Sequence, residues 1–252
     1  MAFSSAFQAG ATSSSSGWNW GTAWADADAD DEEDEEKGSS FLSSGRDSVI
    51  FLIDCSRSML SSHVGGGDKP VQLCIKCART VLLNKIISSE RDLIGVVLFG
   101  TKQCKNKSQF KHVYILQELD QPDAQRIKEL DGILEDIDSG KFSYGHSDEY
   151  SLSDAFWTCS NMFANSPVRL ASKRVFLFTN NDDPHSDNVQ LQRQTKTKAR
   201  DMAETGIELE LLHFPPADGS GFNMSAFYQD VLAWDDVDSA AVEEPSERLR
   251  SF

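Results

Sequence analysis

A chain of 252 residues, 39% of them hydrophobic, is long enough to bury one large core. Its formal net charge of −16 argues against a protein that grips a nucleic-acid backbone with its whole surface, because phosphate binding is driven by Lys and Arg, although a local basic face could still do so. No apolar run approaches the roughly 18 residues of a membrane-spanning helix, and a secretory signal pattern is missing, so we expect a soluble intracellular protein with no membrane partner.

The composition divides the chain into three parts. Residues 1–44 are rich in Ser, Ala and Gly and then strongly acidic, since nine acids lie between 26 and 36. Such a composition cannot form a core and predicts a disordered acidic tail. Residues 45–236 carry the apolar pattern of a folded domain, whereas residues 237–252 are again acidic, which predicts a poorly ordered C-terminal segment.

Apolar strands alternate with amphipathic helices along the folded part. In chain order we predict a strand at 48–53, a helix at 70–87, a strand at 93–99, an edge strand at 113–119, helices from 122 and from 151, a strand at 175–178, a polar helix at 188–204, a strand at 207–214 and a closing helix near 224–232. Strands that are apolar throughout require burial on both faces. The pattern therefore predicts a doubly wound α/β fold, a mostly parallel sheet with helices on both faces.

Polar side chains follow several of the predicted strands. The first strand runs into Asp54, and Ser56 and Ser58 come next at alternate positions. In a doubly wound sheet, ligands bind beyond the carboxyl ends of the strands, near the point where the strand order reverses. We expect the three side chains to converge there with polar residues of the later loops, namely Thr101, Ser147, Ser151, Asn180 and Asp182.

The spacing Asp54-x-Ser56-x-Ser58 offers hard oxygen ligands, which suit Mg²⁺ or Mn²⁺ better than Zn²⁺. It resembles the metal-ion-dependent adhesion site of von Willebrand factor A domains, where a Thr from a second loop and an Asp after a later strand complete the coordination. In this sequence Ser147 takes the position of the Thr, and Asn180 takes the position of the Asp. Replacing a carboxylate by an amide lowers the affinity for a hard divalent cation. We therefore predict a degenerate remnant that holds no metal and no other cofactor. A metal-dependent adhesion domain that binds an acidic ligand is the alternative.

A phosphotransfer enzyme is a second alternative, with Asp54 as the nucleophile at a strand end. Such sites usually have a second acid two residues later, and Ser56 takes that place. The segment 65–70 lacks the spacing of a phosphate-binding loop and puts Pro70 where Ser or Thr would bind Mg²⁺. Cys74 and Cys77 form a CxxC, but it falls inside a helical pattern with no second CxxC and no nearby His pair, which favours core thiols over a zinc site or a redox pair. The five histidines are scattered singly, so we predict no catalytic residue in this chain.

Several longer segments resemble the smaller, seventy-kilodalton subunit of Ku, the heterodimer that encircles broken DNA ends. They include Gln117-Glu118-Leu119-Asp120, Thr179-Asn180-Asn181-Asp182-Asp183-Pro184-His185 and residues 44–48, 85–93 and 150–153. The resemblance covers about 45–236 and implies a nuclear, von Willebrand A-like domain at the side of the Ku ring. Its implied partners are the larger Ku subunit, double-strand DNA ends in the assembled protein, and end-joining and telomere factors. The ring-forming barrel and a C-terminal SAP segment would follow residue 252.

The same resemblance bears on enzyme activity and on the docking surface. The family is credited with helicase activity and with abasic-site lyase chemistry through a lysine just before the first strand, but the nearest amine here is Lys37. We therefore expect this chain to be no enzyme, with a lyase as the remaining alternative. The polar helix 188–204 is the predicted partner-binding surface, with Arg193, Lys196, Arg200 and the preceding Asp187 as its contact residues.

Overall fold

A computed structural model describes residues 45–61, 67–216 and 220–232. The predicted acidic tail at 1–44 and the predicted C-terminal segment at 237–252 lie outside this range, as do Lys37 and the first two residues of the segment 65–70. These domain boundaries therefore stay predictions. None of the helices in the described ranges combines the length and the hydrophobicity needed to cross a lipid bilayer.

Strands and helices alternate along the described residues much as the hydrophobic pattern predicts. In chain order they are β1 (Arg46–Asp54), α1 (Arg57–Ser61), α2 (Pro70–Ser88), β2 (Leu93–Phe99), β3 (Val113–Asp120), α3 (Ala124–Asp138), α4 (Leu152–Ala164), β4 (Leu170–Thr179), α5 (Val189–Glu204), β5 (Glu208–His213) and α6 (Tyr228–Leu232), with a 3₁₀ turn (Met224–Ala226) before α6.

The five strands form one sheet in the order β3-β2-β1-β4-β5. β1 runs parallel to both β2 and β4, and β5 runs parallel to β4, whereas β3 is antiparallel to β2 and lies at the edge. This arrangement confirms the prediction of a mostly parallel sheet and the prediction that the strand at 113–119 lies at its edge. β2 and β3 lie on one side of β1 in the sheet, and β4 and β5 lie on its other side. The strand order therefore reverses between β1 and β4. A crevice is expected beyond the carboxyl ends of these two strands.

Helices cover both faces of the sheet, which confirms the doubly wound fold. On one face Ile50 and Leu52 of β1 pack in a core cluster with residues of α4, α5 and α6. On the other face Val49, Phe51 and Ile53 pack with residues of α1, α2 and α3. Each large apolar side chain that is fully buried stabilises the fold by roughly 1.5–3 kcal/mol relative to exposure. The alternation of side chains along a strand explains how one apolar run supplies both cores.

Helix ends follow local capping chemistry. The Asp123, Ser151 and Asn188 side chains accept hydrogen bonds from the backbone N–H groups of Arg126, Asp154 and Leu191, and so satisfy donors that the first turn of a helix leaves unpaired. After α5, Gly206 takes a φ of +70°, a conformation that glycine adopts without strain. These signals explain why the predicted starts of α3, α4 and α5 lie within two residues of those observed.

Three elements differ from the prediction. β4 begins at Leu170 and not at 175, because its first half pairs with β1 through half-exposed polar residues such as Ser172, whose hydroxyl donates to Asp47 at 2.8 Å. The closing helix is interrupted, since Phe227 is buried between the 3₁₀ turn and α6. The residues after Asp54 form the short helix α1, so Ser58 lies on a helix and not in a loop.

Candidate functional site

Asp54 lies fully buried at the end of β1, in the crevice beside β4. One of its carboxylate oxygens accepts the backbone N–H of Ser56 at 2.8 Å, and the other accepts the hydroxyl of Thr179 at 2.7 Å. Thr179 is the last residue of β4, and the register that pairs Ile53 with Phe178 brings it next to Asp54. Both oxygens of this carboxylate therefore have partners inside the protein.

Burial raises the pKa of Asp54, and the hydrogen bonds from Thr179 and Ser56 offset only part of that rise. The negative charge of Asp148 adds to it. An acid with a raised pKa gives up its proton less readily than an exposed Asp. Nucleophilic attack and metal binding both need the ionised carboxylate, so this environment is poorly suited to either role.

The predicted residues Ser56, Ser58 and Asn180 do lie together with Asp54. The Ser56 and Ser58 hydroxyl oxygens are 3.2 Å apart, and the Ser58 hydroxyl donates to Oδ1 of Asn180 at 2.7 Å. Asn180 is buried, and its amide nitrogen has no hydrogen-bond partner among the residues that the structure describes. The resemblance to von Willebrand A domains places an acid at this position of a metal site, and the interpretation of Asn180 as the remnant of such a site stays a prediction.

Ser147 approaches the same rim through its backbone. Its N–H donates to the carbonyl of Gly100 at 2.7 Å, while its hydroxyl exchanges hydrogen bonds with the backbone of Glu149 at 3.2 and 3.3 Å. Gly100 has a φ of +68°, and a Cβ there would lie 3.1 Å from the Ser56 nitrogen and 3.2 Å from the Ser147 carbonyl oxygen. The close approach of three loops therefore requires glycine at this position, and the Ser147 hydroxyl is occupied within its own loop.

Three other predicted rim residues have local roles. The Thr101 hydroxyl donates to the carbonyl of Gln103 at 2.7 Å, and Ser151 caps α4. The Asp182 carboxylate accepts the backbone N–H of Asn223 at 2.9 Å, which ties the loop after β4 to the segment before α6. The structure shows no hydrogen bond from any of the three to Asp54 in its described part.

Sequence reasoning missed Thr179, Tyr150 and His185, which enclose the crevice. The fully buried Thr179 hydroxyl accepts the N–H of Asn181 at 3.0 Å, in addition to binding Asp54. The Tyr150 ring packs against His185, and burial raises the pKa of the Tyr150 hydroxyl, with a further contribution from the charge of Asp54. Thr179 could have been found from the sequence, because it follows a strand that a doubly wound sheet places beside β1.

The donor set does not fit a divalent cation. Asp54 is the single carboxylate among Asp54, Ser56, Ser58, Ser147 and Asn180, and both its oxygens are hydrogen-bonded, whereas Mg²⁺ needs near-octahedral oxygen coordination. The hydroxyls of Ser58 and Ser147 are directed to Asn180 and Glu149. No group of three or more His, Cys, Asp or Glu side chains that could hold a metal occurs in the described ranges. That the chain holds no metal or cofactor stays a prediction.

Three of the predicted partner-binding residues lie on helix α5, and Asp187 lies just before it. The four side chains differ in their exposure to solvent. Asp187, Arg193 and Arg200 are exposed. Lys196 is half-buried, because its ammonium lies 2.6 Å from the carboxylate of Asp230 and 5.6 Å from the centre of the Phe227 ring. This side chain therefore links α5 to the C-terminal helix α6, and its role in partner binding stays a prediction.

The comparisons with known proteins agree with this geometry. The family model described as the Ku70/Ku80 N-terminal alpha/beta domain matches residues 48–242. The chain is 40% identical to X-ray repair cross-complementing protein 6 of Mus musculus, over 86% of this chain and 36% of that protein. It is 37% identical to ATP-dependent DNA helicase 2 subunit 1 of Rhipicephalus appendiculatus (74% and 30%), and 33% identical to ATP-dependent DNA helicase ku70 of Dictyostelium discoideum (78% and 23%).

The chain thus spans about a third or less of the length of these curated relatives. The family model covers more than half of the chain and includes every strand from β2 to β5 together with most of β1. The von Willebrand A-like fold agrees with that assignment. The chain belongs to the family of Ku amino-terminal α/β domains.

Proposed function

We propose that this chain is the amino-terminal domain of the smaller, seventy-kilodalton Ku subunit and that it acts as a protein-docking domain of the Ku DNA-end-binding complex. One observation carries the proposal: the family match over residues 48–242 is accompanied by relatives that are named subunit 1 or ku70. The closed rim around Asp54 supports a docking role, because a crevice filled by its own hydrogen bonds leaves the outer surface as the place for function.

In this proposal the larger Ku subunit is the partner, and the assembled heterodimer binds double-strand DNA ends. It acts in the nucleus, in repair by non-homologous end joining and in telomere maintenance. Several relatives are named as ATP-dependent DNA helicases. For this chain we propose no enzyme activity, since the segment 65–70 lacks a phosphate-loop spacing.

The proposed docking surface is the outer face of α5. Its inner face packs on the domain through Thr195, Ala199 and Met202, which are buried. An open groove of about 580 Å³ runs between α4 and α5, lined by Arg193 together with Asp154 and Asp201. Charges of both signs beside a groove favour a polar protein partner over a purely apolar one.

The subunit assignment is tested by co-expression. The full-length protein that contains this chain is expected to co-purify with the larger Ku subunit and not with a second copy of the smaller one. Stable pairing with the smaller subunit alone would contradict the assignment.

The docking role is tested in the purified heterodimer with Arg193→Glu. We expect end-joining factors to bind the variant at least tenfold more weakly, while heterodimer assembly and DNA-end affinity are unchanged. Lys128→Glu is the matched control, because Lys128 is an exposed cation on α3, on the other face of the sheet. Unchanged binding of all end-joining factors by Arg193→Glu would overturn the docking surface and leave the subunit assignment intact.

A further inference from the structure

The loop between β2 and β3 concentrates positive charge in an acidic chain. Residues 101–112, here named the lysine loop, contain Lys102, Lys105, Lys107 and Lys111, and no Asp or Glu occurs between Asp92 and Glu118. All four lysines are exposed. Within the described part of the chain none of them makes an ion pair, although Lys105 lies 5.6 Å from the centre of the Tyr114 ring.

The cations of helix α2 differ from those of the lysine loop, because they form ion pairs within the domain. Lys76 pairs with Asp68 and Lys85 pairs with Asp92, each at 2.6 Å, and the Arg79 guanidinium pairs with Asp131. These cations lie beside acids that neutralise them. The cations of the lysine loop follow one another closely in the sequence with no acid between them, which raises the local positive potential and favours an external anion.

The backbone of the lysine loop is held in one conformation. The Asn106 amide donates to the carbonyls of Phe110 and Val113 at 2.8 and 2.9 Å and accepts the Phe110 N–H at 2.8 Å. The N–H groups of Lys102 and Gln103 donate to the carbonyl of Tyr144 at 3.1 and 2.9 Å. A loop ordered in this way presents its cations without a large entropic cost on binding.

We propose that the lysine loop binds the phosphate backbone of double-stranded DNA. Lysine ammonium groups are compact point charges that suit phosphates without demanding a particular base sequence. An acidic protein partner would need an apolar anchor as well. The large exposed hydrophobic side chains of the described residues lie elsewhere, at Leu83, Ile87, Trp157, Val189 and Met224.

This inference goes beyond the docking role, because it gives this domain a DNA contact of its own that needs no DNA end. The test therefore uses the whole 252-residue chain and a fluorescent 20-base-pair dumbbell duplex, which has no free ends. Fluorescence anisotropy is measured from 20 to 150 mM salt. The variant carries Lys102→Gln, Lys107→Gln and Lys111→Gln and keeps Lys105, which contacts Tyr114.

We expect the triple variant to bind the dumbbell at least tenfold more weakly at 20 mM salt. The slope of log K against log salt should become shallower by about 2.7, since each phosphate contact contributes about 0.9. The control carries Arg91→Gln, Lys128→Gln and Arg169→Gln, which remove the same charge from exposed positions outside the lysine loop. Its affinity should stay within about twofold of the wild type.

Three results would overturn the proposal. The first is equal binding by the triple variant and the wild type, and the second is an equal loss in the control, which would show a general charge effect. The third is binding of polyglutamate as tight as that of the dumbbell and dependent on the same lysines, because the occupant would then be an acidic polypeptide. None of these outcomes depends on end binding by the heterodimer, so the docking proposal can fail or stand separately.

Discussion

The rim around Asp54 and the lysine loop both follow strands at the same edge of the sheet, yet they use their polar groups in opposite ways. In the rim, Asp54 is bonded to Ser56 and Thr179, so its carboxylate is occupied inside the fold. In the lysine loop the backbone is bonded internally, while the lysine side chains extend into solvent. Polar residues after a strand therefore mark a binding surface only where the fold leaves them without internal partners.

We therefore expect the rim around Asp54 to contribute to stability and the lysine loop to contribute to binding. Substitutions in the rim should lower the free energy of unfolding, because buried donors and acceptors lose their partners. Substitutions in the lysine loop should leave that free energy nearly unchanged. The changes below test this division in order of decreasing expected effect.

Asp54→Ala should have the largest effect. It leaves the buried N–H of Ser56 and the hydroxyl of Thr179 without an acceptor, and we expect a loss of about 3 kcal/mol in the free energy of unfolding. Asp54→Asn keeps an acceptor for Ser56 and can donate to Thr179, so it should cost less than about 1 kcal/mol at pH 7. Urea denaturation measures both, and equal losses would contradict the hydrogen-bonding role.

The pH dependence of stability provides a second test of the role of Asp54. Burial holds the pKa of Asp54 above its unfolded value, near 3.9, so the folded protein binds the proton more tightly than the unfolded chain. The stability that this group contributes is present below about pH 3.9 and is lost as the pH rises through the folded pKa. Asp54→Asn should therefore gain stability relative to the wild type between pH 4.5 and 7.5. A constant difference over that range would count against a buried, perturbed carboxylate.

Asn180→Asp should restore the acid that the metal-binding domains carry at this position. A second carboxylate in a buried cluster without a cation should cost about 2 kcal/mol in EDTA, because desolvation and repulsion from Asp54 disfavour its charge. Millimolar Mn²⁺ should recover part of that loss in the variant and leave the wild type unchanged. Thermal unfolding with and without the metal measures this, and an equal response of both proteins would show that Asn180 does not set the metal preference.

His185→Asn should have an effect of about 1 kcal/mol at pH 8. Nε2 of His185 accepts the backbone N–H of Leu152 at 3.2 Å, and the residue has a φ of +65°, which Asn tolerates. Burial lowers the pKa of His185, so the stability gained from the neutral ring is present above about pH 6.5 and is lost as the pH falls through the folded pKa.

The difference between His185→Asn and the wild type should therefore narrow from pH 8 to pH 5. His213, whose pKa burial also lowers, is present in both proteins and does not affect the comparison. Urea midpoints at four pH values measure the effect. A difference that widens toward pH 5 would contradict the lowered pKa.

Lys196→Gln should cost about 0.5–1 kcal/mol, because the pair with Asp230 is partly exposed and the contact with Phe227 adds a weak cation–π attraction. A double-mutant cycle with Asp230→Asn isolates the coupling between the two side chains. Zero coupling would show that Lys196 does not hold α6 on α5.

The triple substitution of Lys102, Lys107 and Lys111 by Gln should have the smallest effect on stability, less than about 0.5 kcal/mol. These side chains are exposed and make no ion pair among the described residues. A loss above about 1 kcal/mol in chemical denaturation would mean that the lysines support the fold and would remove the contrast with the rim.

Much of the fold could be predicted, because apolar runs and helix-capping residues depend on interactions within a short segment of the chain. Apolar runs marked β1 and β2, and Ser151 and Gly206 marked helix ends through capping and a left-handed turn. The first half of β4 could not be predicted in this way, because its half-exposed residues form a strand only by pairing with β1. The break before α6 likewise depends on the burial of Phe227.

The sequence by itself determined the class of the fold, the family, and the meeting of Asp54, Ser56, Ser58 and Asn180, because strand ends in a parallel sheet share one edge. Only the tertiary structure decided that Thr179 occupies the second oxygen of Asp54, that Lys196 turns toward Asp230, and that the cations of the lysine loop make no ion pair among the described residues. The physical reason is that hydrogen bonds and ion pairs between distant segments depend on which strands and helices become neighbours, and periodicity within a segment does not encode that choice.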